Sequence, residues 1–221
     1  VVETIMEEGT RPKALGLLFH PDLIQGTALA REIKTYSFFS YASSEALHLS
    51  EEEKSLFQDC LQQIRQELER PSDRLSKRIM AHHIQLLLDY CLRFYERQFH
   101  TRTQVNRDVL TRFESLLDNY FQSELPQKEG LPTVRYFADK VFLSPNYFGD
   151  LIKKETGMTA QELIRNRLIE QAKEYIVGTD KKLSQIAYEL GFQYSQHFNR
   201  LFKKSVGYTP NEYRKQQSAL G

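Results

Sequence analysis

The sequence predicts a mainly α-helical protein that ends in two helix-turn-helix units joined by a connecting helix. The strongest observation is a repeat of one apolar skeleton in residues 134–163 and 183–213. Val134, Phe137, Ala138 and Val141 match Leu183, Ile186, Ala187 and Leu190 at an offset of 49. Phe148, Leu151, Ile152, Gly157 and Thr159 then match Phe198, Leu201, Phe202, Gly207 and Thr209 at an offset of 50. The one-residue slip falls between the helices of each unit, where a turn absorbs it, as expected for two copies of one small fold. Apolar residues at helical spacing upstream, and hydroxyl caps and glycine stops around each segment, complete the reading.

Residues 1–45 are poorly defined. The run KALGLLFHP at 13–21 is expected as a short buried strand, and 37–41 is an aromatic run without a period. Residues 46–125 read as a helical linker and dimerisation segment. Ser50 and Glu53 form a capping box, followed by Phe57, Leu61, Ile64 and Leu68 at helical spacing. Pro71 interrupts the chain. A long helix is expected over 72–99, with Leu75, Ile79, Leu86, Tyr90 and Phe94 apolar. Met80, Leu87 and Cys91 add a second apolar face, which predicts a homodimer. A third helix is expected over 106–121, with Leu110, Phe113, Leu117 and Tyr120. The run PQKEGLP at 126–132 marks a boundary.

Thr133 is the expected cap of the next helix, and Ser144 with Pro145 opens the first recognition helix. Gly157 and Gly207 follow Lys-rich last turns, as helix stops do. Residues 160–177 form the connecting helix, about 27 Å long at about 1.5 Å per residue. Its apolar positions Leu163, Leu168, Ala172 and Ile176 can dock both units. Successive major-groove faces recur about 34–36 Å apart, so such a helix can hold two recognition helices one turn apart.

The formal net charge of +1 hides an uneven distribution. Residues 1–130 carry 16 Lys+Arg against 20 Asp+Glu, whereas 131–221 carry 14 against 9. The basic C-terminal part suits a polyanion. Cys60 and Cys91 are expected to pack as small apolar residues, not to bridge, and are too few for a four-cysteine zinc site. No membrane span or signal peptide is evident, which predicts a cytoplasmic, nucleoid-associated protein. No enzyme motif appears: there is no GxSxG, Walker-type loop, HExxH or dinucleotide fingerprint. The adjacent His82 and His83 diverge by about 100° on a helix and read as core-edge residues rather than metal ligands. Neither a catalytic residue, a metal nor a cofactor is expected.

Residues 186–214, IAYELGFQYSQHFNRLFKKSVGYTPNEYR, resemble the signature of AraC/XylS-type bacterial transcription regulators. The anchors are Ile186, Ala187, Gly191, Phe192, Phe198, Arg200, Phe202, Lys203, Gly207, Pro210, Tyr213 and Arg214. The upstream copy resembles the first helix-turn-helix of that family, and Arg167, Leu168 and Ala172 fit its connecting helix. The resemblance is strong over 131–217 and implies a double helix-turn-helix DNA-binding domain. It also implies that GLLFHPDLI is the exit, or short β remnant, of a cupin-like β-barrel sensor lying mostly upstream of Val1. Sequence-specific regulation of transcription follows, with double-stranded DNA and RNA polymerase as partners and an effector left unnamed. A helical interaction module or a DNA-repair protein on the same fold is the alternative.

Within the first recognition helix, Asn146, Gly149, Asp150, Lys153 and Lys154 are the candidate DNA-facing residues. In the second they are Ser195, Gln196, Asn199, Arg200, Lys203 and Lys204. Arg suits the paired acceptors of guanine, Gln and Asn suit adenine, and the Lys pairs suit phosphates. Asp150 is odd among these, being repelled by phosphate; an ion pair with Lys154 is its expected role, with a cytosine amino group as the other reading. Arg200 has an ion pair within the domain as its other reading. Where the family commonly has Asp or Ser before the second recognition helix, this chain has Gln193 and Tyr194, so Ser195 is expected to cap.

Overall fold

Side-chain caps open several helices of this fold, among them those starting at Glu51, Val134, Pro145 and Ala160. The computed structural model describes residues 16–218, in which helices and short 3-10 turns are the only regular structure. The chain groups into two units, described separately: residues up to Tyr36 with Leu49–Leu92, and Ser37–His48 with Arg93–Gly221.

The first unit holds α1 (Pro21–Ile24), α2 (Ala28–Glu32), α3 (Glu51–Glu69) and residues 76–92 of α4 (Ser76–Thr101). The capping box of α3 forms as its sequence demands. Ser50 Oγ accepts from Glu53 N at 3.2 Å, and Glu53 Oε2 accepts from Ser50 N at 2.8 Å. Asp73 Oδ1 accepts from the backbone N–H of Leu75 and Ser76, which starts α4 at Ser76 rather than at 72. Leu29, Cys60, Ile64, Met80, Ala81, Ile84, Leu87 and Leu88 are buried. Leu68 and Leu86, expected among the apolar positions, are instead 70% and 48% exposed.

The strand expected at 13–21 does not form in its described part. Residues 16–20 are irregular, Pro21 opens α1, and Leu18 is 98% exposed. Residues 13–15 lie outside the described residues. A proline whose fixed φ suits a first helical turn, next to an Asp, favours a helix start over a strand.

The second unit is built on α5 (Thr103–Gln122), with α6 (Leu125–Glu129), α7 (Val134–Lys140), α8 (Pro145–Thr156), α9 (Ala160–Gly178), α10 (Leu183–Glu189), α11 (Ser195–Val206) and α12 (Pro210–Ser218). Residues 126–132, read as a boundary, begin inside α6 and lie within this unit. Phe113 of α5 is fully buried and meets Phe137 and Phe148 edge-on, each with ring centroids 5.2 Å apart. Such pairs add about 0.5–1.5 kcal/mol each beyond area burial. Polar ties reinforce the packing. Tyr120 Oη donates to Gly130 O at 2.8 Å, Asn106 Nδ2 to Phe99 O at 2.8 Å, and Arg167 Nε to Asp118 Oδ1 at 2.5 Å.

The connecting helix α9 is about 28 Å long at about 1.5 Å per residue. Leu168, Ala172 and Ile176 are buried as expected, together with Ile164 and Ile169. Arg214 Nε of α12 donates to the Ile176 carbonyl at 2.9 Å, fixing the last helix to the end of α9.

Candidate nucleic-acid interface

The repeat is present in space as well as in sequence. In the first helix-turn-helix Leu143 N donates to Ala138 O at 3.0 Å; in the second helix-turn-helix Phe192 N donates to Ala187 O at 2.9 Å. Both alanines are at most 1% exposed. Each turn has one left-handed residue, Phe142 at φ 61° and Gly191 at φ 92°. The chain then needs one more residue before α11 than before α8, which is where the offset changes. A Cβ on Gly191 would lie 2.7 Å from the Gly130 carbonyl carbon and 2.8 Å from Pro126 O. Phe142, by contrast, is 81% exposed, with the Arg112 guanidinium 5.6 Å from its ring centroid.

Further symmetry appears after each recognition helix. Gly157 and Gly207 end α8 and α11 in left-handed conformations, donating to Lys153 O and Lys203 O at 2.9 and 2.8 Å. Thr159 with Glu162 and Thr209 with Glu212 then make matching reciprocal caps. The capping hydrogen bonds from the threonines hold both glutamate carboxyls below the ordinary carboxylate range.

Apolar backs lock both recognition helices. Phe148, Leu151 and Ile152 are at most 1% exposed, and so are Phe198 and Phe202, with Leu201 half-buried. On the outer face Asn146, Lys153, Lys154, Gln196, Asn199, Arg200, Lys203 and Lys204 are all exposed, while Gly149 and Ser195 are half-buried. A Cβ on Gly149 would meet nothing, so no packing demands glycine there. Arg200 forms no ion pair among the described residues, which leaves its guanidinium available.

Two expectations are corrected. Asp150 does not pair with Lys154; its Oδ2 accepts a hydrogen bond from Tyr41 Oη at 2.7 Å. The Tyr41 ring lies edge-on to Tyr147 and Tyr95, both with centroids 5.1 Å away. The half-buried Tyr41 is already held beside Asp150 by its ring contacts, whereas the exposed Lys154 would lose side-chain freedom to reach it for little gain. Burial and the Asp150 bond push the Tyr41 hydroxyl far above its ordinary range, so it stays protonated. Nor does Ser195 cap α11: the cap position is the extended Tyr194, without a side-chain bond, and Ser195 is the first helical residue.

Glu45 was not visible from the sequence. Its Oε1 accepts from Ser144 N at 2.6 Å, and Oε2 accepts from Ser144 Oγ at 2.5 Å and Ala42 N at 2.7 Å. The carboxylate is only 2% exposed. Tyr41 and Glu45 lie in a run of 3-10 turns whose partners are 109 and 99 residues away, and no local period reveals such contacts. Among the described residues no three His, Cys, Asp or Glu side chains could hold a metal ion together, and no helix is long and apolar enough to cross a membrane.

The same residues are similar in sequence to known proteins. A helix-turn-helix domain family matches residues 137–216. The chain is 30% identical over 117 residues to the HTH-type transcriptional regulator YtdP of Bacillus subtilis, covering 53% of this chain and 15% of that protein. It is 40% identical over 81 residues to the transcriptional regulatory protein YesN of Bacillus subtilis, covering 36% and 22%. The HTH-type transcriptional activator RhaS of Citrobacter koseri is 25% identical over 166 residues, covering 74% and 57%. The chain thus spans less than two thirds of each of these relatives. A solved structure, the C-terminal domain of AraT, a response regulator from Geobacillus stearothermophilus, aligns with a TM-score of 0.44 and 26% identity, covering 49% of this chain and 84% of that one.

Proposed function

We propose that this chain, whose residues 137–216 match a helix-turn-helix domain family, is an AraC-type regulator of transcription that places α8 and α11 in successive major-groove segments of one duplex. The observation that carries the proposal is the pair of equivalent recognition helices, each with a buried aromatic back and an exposed face ending in two lysines. In α11, Gln196, Asn199 and Arg200 read base edges, and Lys203 and Lys204 meet phosphates. In α8, Asn146 is the base-reading side chain, and Gly149 lets the backbone come close. Lys153 and Lys154 add phosphate contacts.

The first unit acts as a homodimerisation element in this proposal. Leu56, Leu86 and Tyr90 border a cavity with Cys60 and His83, and Leu56 and Leu86 are 40% and 48% exposed. RNA polymerase is the partner such a regulator would engage at a promoter in the cytoplasm. The repair alternative finds no support, because burial raises both cysteine thiols above their ordinary range, the opposite of what a nucleophile needs.

Fluorescence anisotropy with a labelled duplex across salt concentrations tests the proposal. Neutralising about five phosphates gives a log–log salt slope of about −4 to −5. Binding that ignores salt, or no binding to a generic duplex at low salt, removes the assignment.

A further inference from the structure

Resting on the DNA-binding reading, we propose that residues 37–48 are an intramolecular competitor for DNA at the first recognition helix. Glu45 fills the place of a phosphate at the start of α8, and Tyr41 covers the flank that turns toward the groove.

A helix N-terminus presents free N–H groups and a partial positive charge, and therefore binds anions. At α8 that anion is already present within the chain. Glu45 binds Ser144 through both its backbone N–H and its hydroxyl, takes a third hydrogen bond from Ala42 N, and is nearly shut off from solvent. Its two oxygens stand in for phosphate oxygens.

The duplicated unit supplies the comparison. Tyr194, His197 and Arg200 of the second copy correspond to Ser144, Tyr147 and Asp150 of the first, and all three are exposed. In the first copy Tyr147 is 4% exposed, while Ser144 and Asp150 are half-buried. Tyr41 and Glu45 cover these stations directly. If both copies meet DNA with the same face, the segment stands where the sugar–phosphate backbone at the first groove would run. It also sets the Glu45 carboxylate at the start of the helix, and carboxylates repel phosphates. Opening the first site therefore requires the segment to leave.

The test uses the full chain and a duplex selected from a random-sequence library, with selections run on both the natural chain and the E45Q/Y41F double variant. The double variant is expected to bind about fivefold tighter or more, while R200A weakens binding in both backgrounds. Hydrogen exchange on the natural chain should become faster in residues 37–48 when duplex is added. Recovery of a duplex by the double variant alone also supports the proposal. Unchanged or weaker binding by a double variant that melts like the natural chain overturns it. Unchanged or increased protection of residues 37–48 in the bound natural chain overturns it too, even if the variant folds poorly. If neither chain recovers a duplex at low salt, the DNA-binding reading falls as well.

Discussion

Asp150 and Arg200 occupy the same station of the two recognition helices, and their surroundings are opposite. Asp150 is half-buried and bonded to the Tyr41 hydroxyl, whereas Arg200 is exposed and has no ion pair among the described residues. Arg200→Ala is accordingly expected to cost about 1–3 kcal/mol on a selected duplex and to relax base preference at one position. Asp150→Asn should leave base preference unchanged. A competition assay over single-base variants of the duplex measures both, and a greater loss of preference at Asp150 would reverse the ranking of the two halves.

The turn residues of the two copies are not interchangeable. Gly191→Ala forces a Cβ into the Gly130 and Pro126 backbones at an unfavourable φ, and is expected to destabilise by more than about 2 kcal/mol. Phe142→Gly removes left-handed strain from an exposed residue and should change stability by no more than about 1 kcal/mol. Denaturant midpoints of the two variants provide the comparison.

Gly149 offers a stabilising substitution. It lies inside α8 with open space where a Cβ would go, so Gly149→Ala should gain about 0.5–1 kcal/mol. That corresponds to a melting shift of about 1–4 °C for a chain of this size. No rise in melting temperature would point to a backbone requirement that the packing does not reveal.

α5 is expected to be part of the folding unit of the helix-turn-helix region. Phe113 has no exposed surface and lies against Phe137 and Phe148, so Phe113→Ala should cost about 3–5 kcal/mol. A fragment starting at residue 131 should melt lower and less cooperatively than one starting at residue 93. Equal melting of the two fragments by circular dichroism would remove α5 from the fold's core.

Thiol chemistry gives a test within the first unit. Burial, with Cys60 nearby, pushes the Cys91 thiol up to about 11. Iodoacetamide at pH 8 should modify Cys91 about two orders of magnitude more slowly in the folded chain than in the unfolded one, as the loss of thiolate dictates. Peptide mass spectrometry over a time course reads the ratio.

The parts legible in the sequence are those whose cause is local or repeated. Ala138 and Ala187 aligned the two copies, Ser144 and Thr133 marked caps, and Gly157 and Gly207 marked stops, because each is repeated or acts within a turn or so of chain. The contacts of Tyr41 and Glu45 left no such mark, since their partners are about half the chain away and 3-10 turns impose no extended period. The strand expected over 13–21 fails in its described part, 16–21, for a related reason. A short hydrophobic run fits a strand as well as the irregular entry to a helix, and only Pro21 favoured the latter.

If α8 and α11 read one duplex as proposed, the connecting helix α9 limits how their two half-sites can be spaced. A capped helix with six buried apolar side chains is an inextensible ruler, unlike the flexible tether of many two-module binders. About five base pairs inserted between the half-sites would rotate the second groove to the far side of the duplex. About ten would restore its facing but carry it beyond reach by a full turn of about 34 Å. Tolerance to spacing should therefore be narrow in both cases, and only DNA that bends toward the protein could relax it.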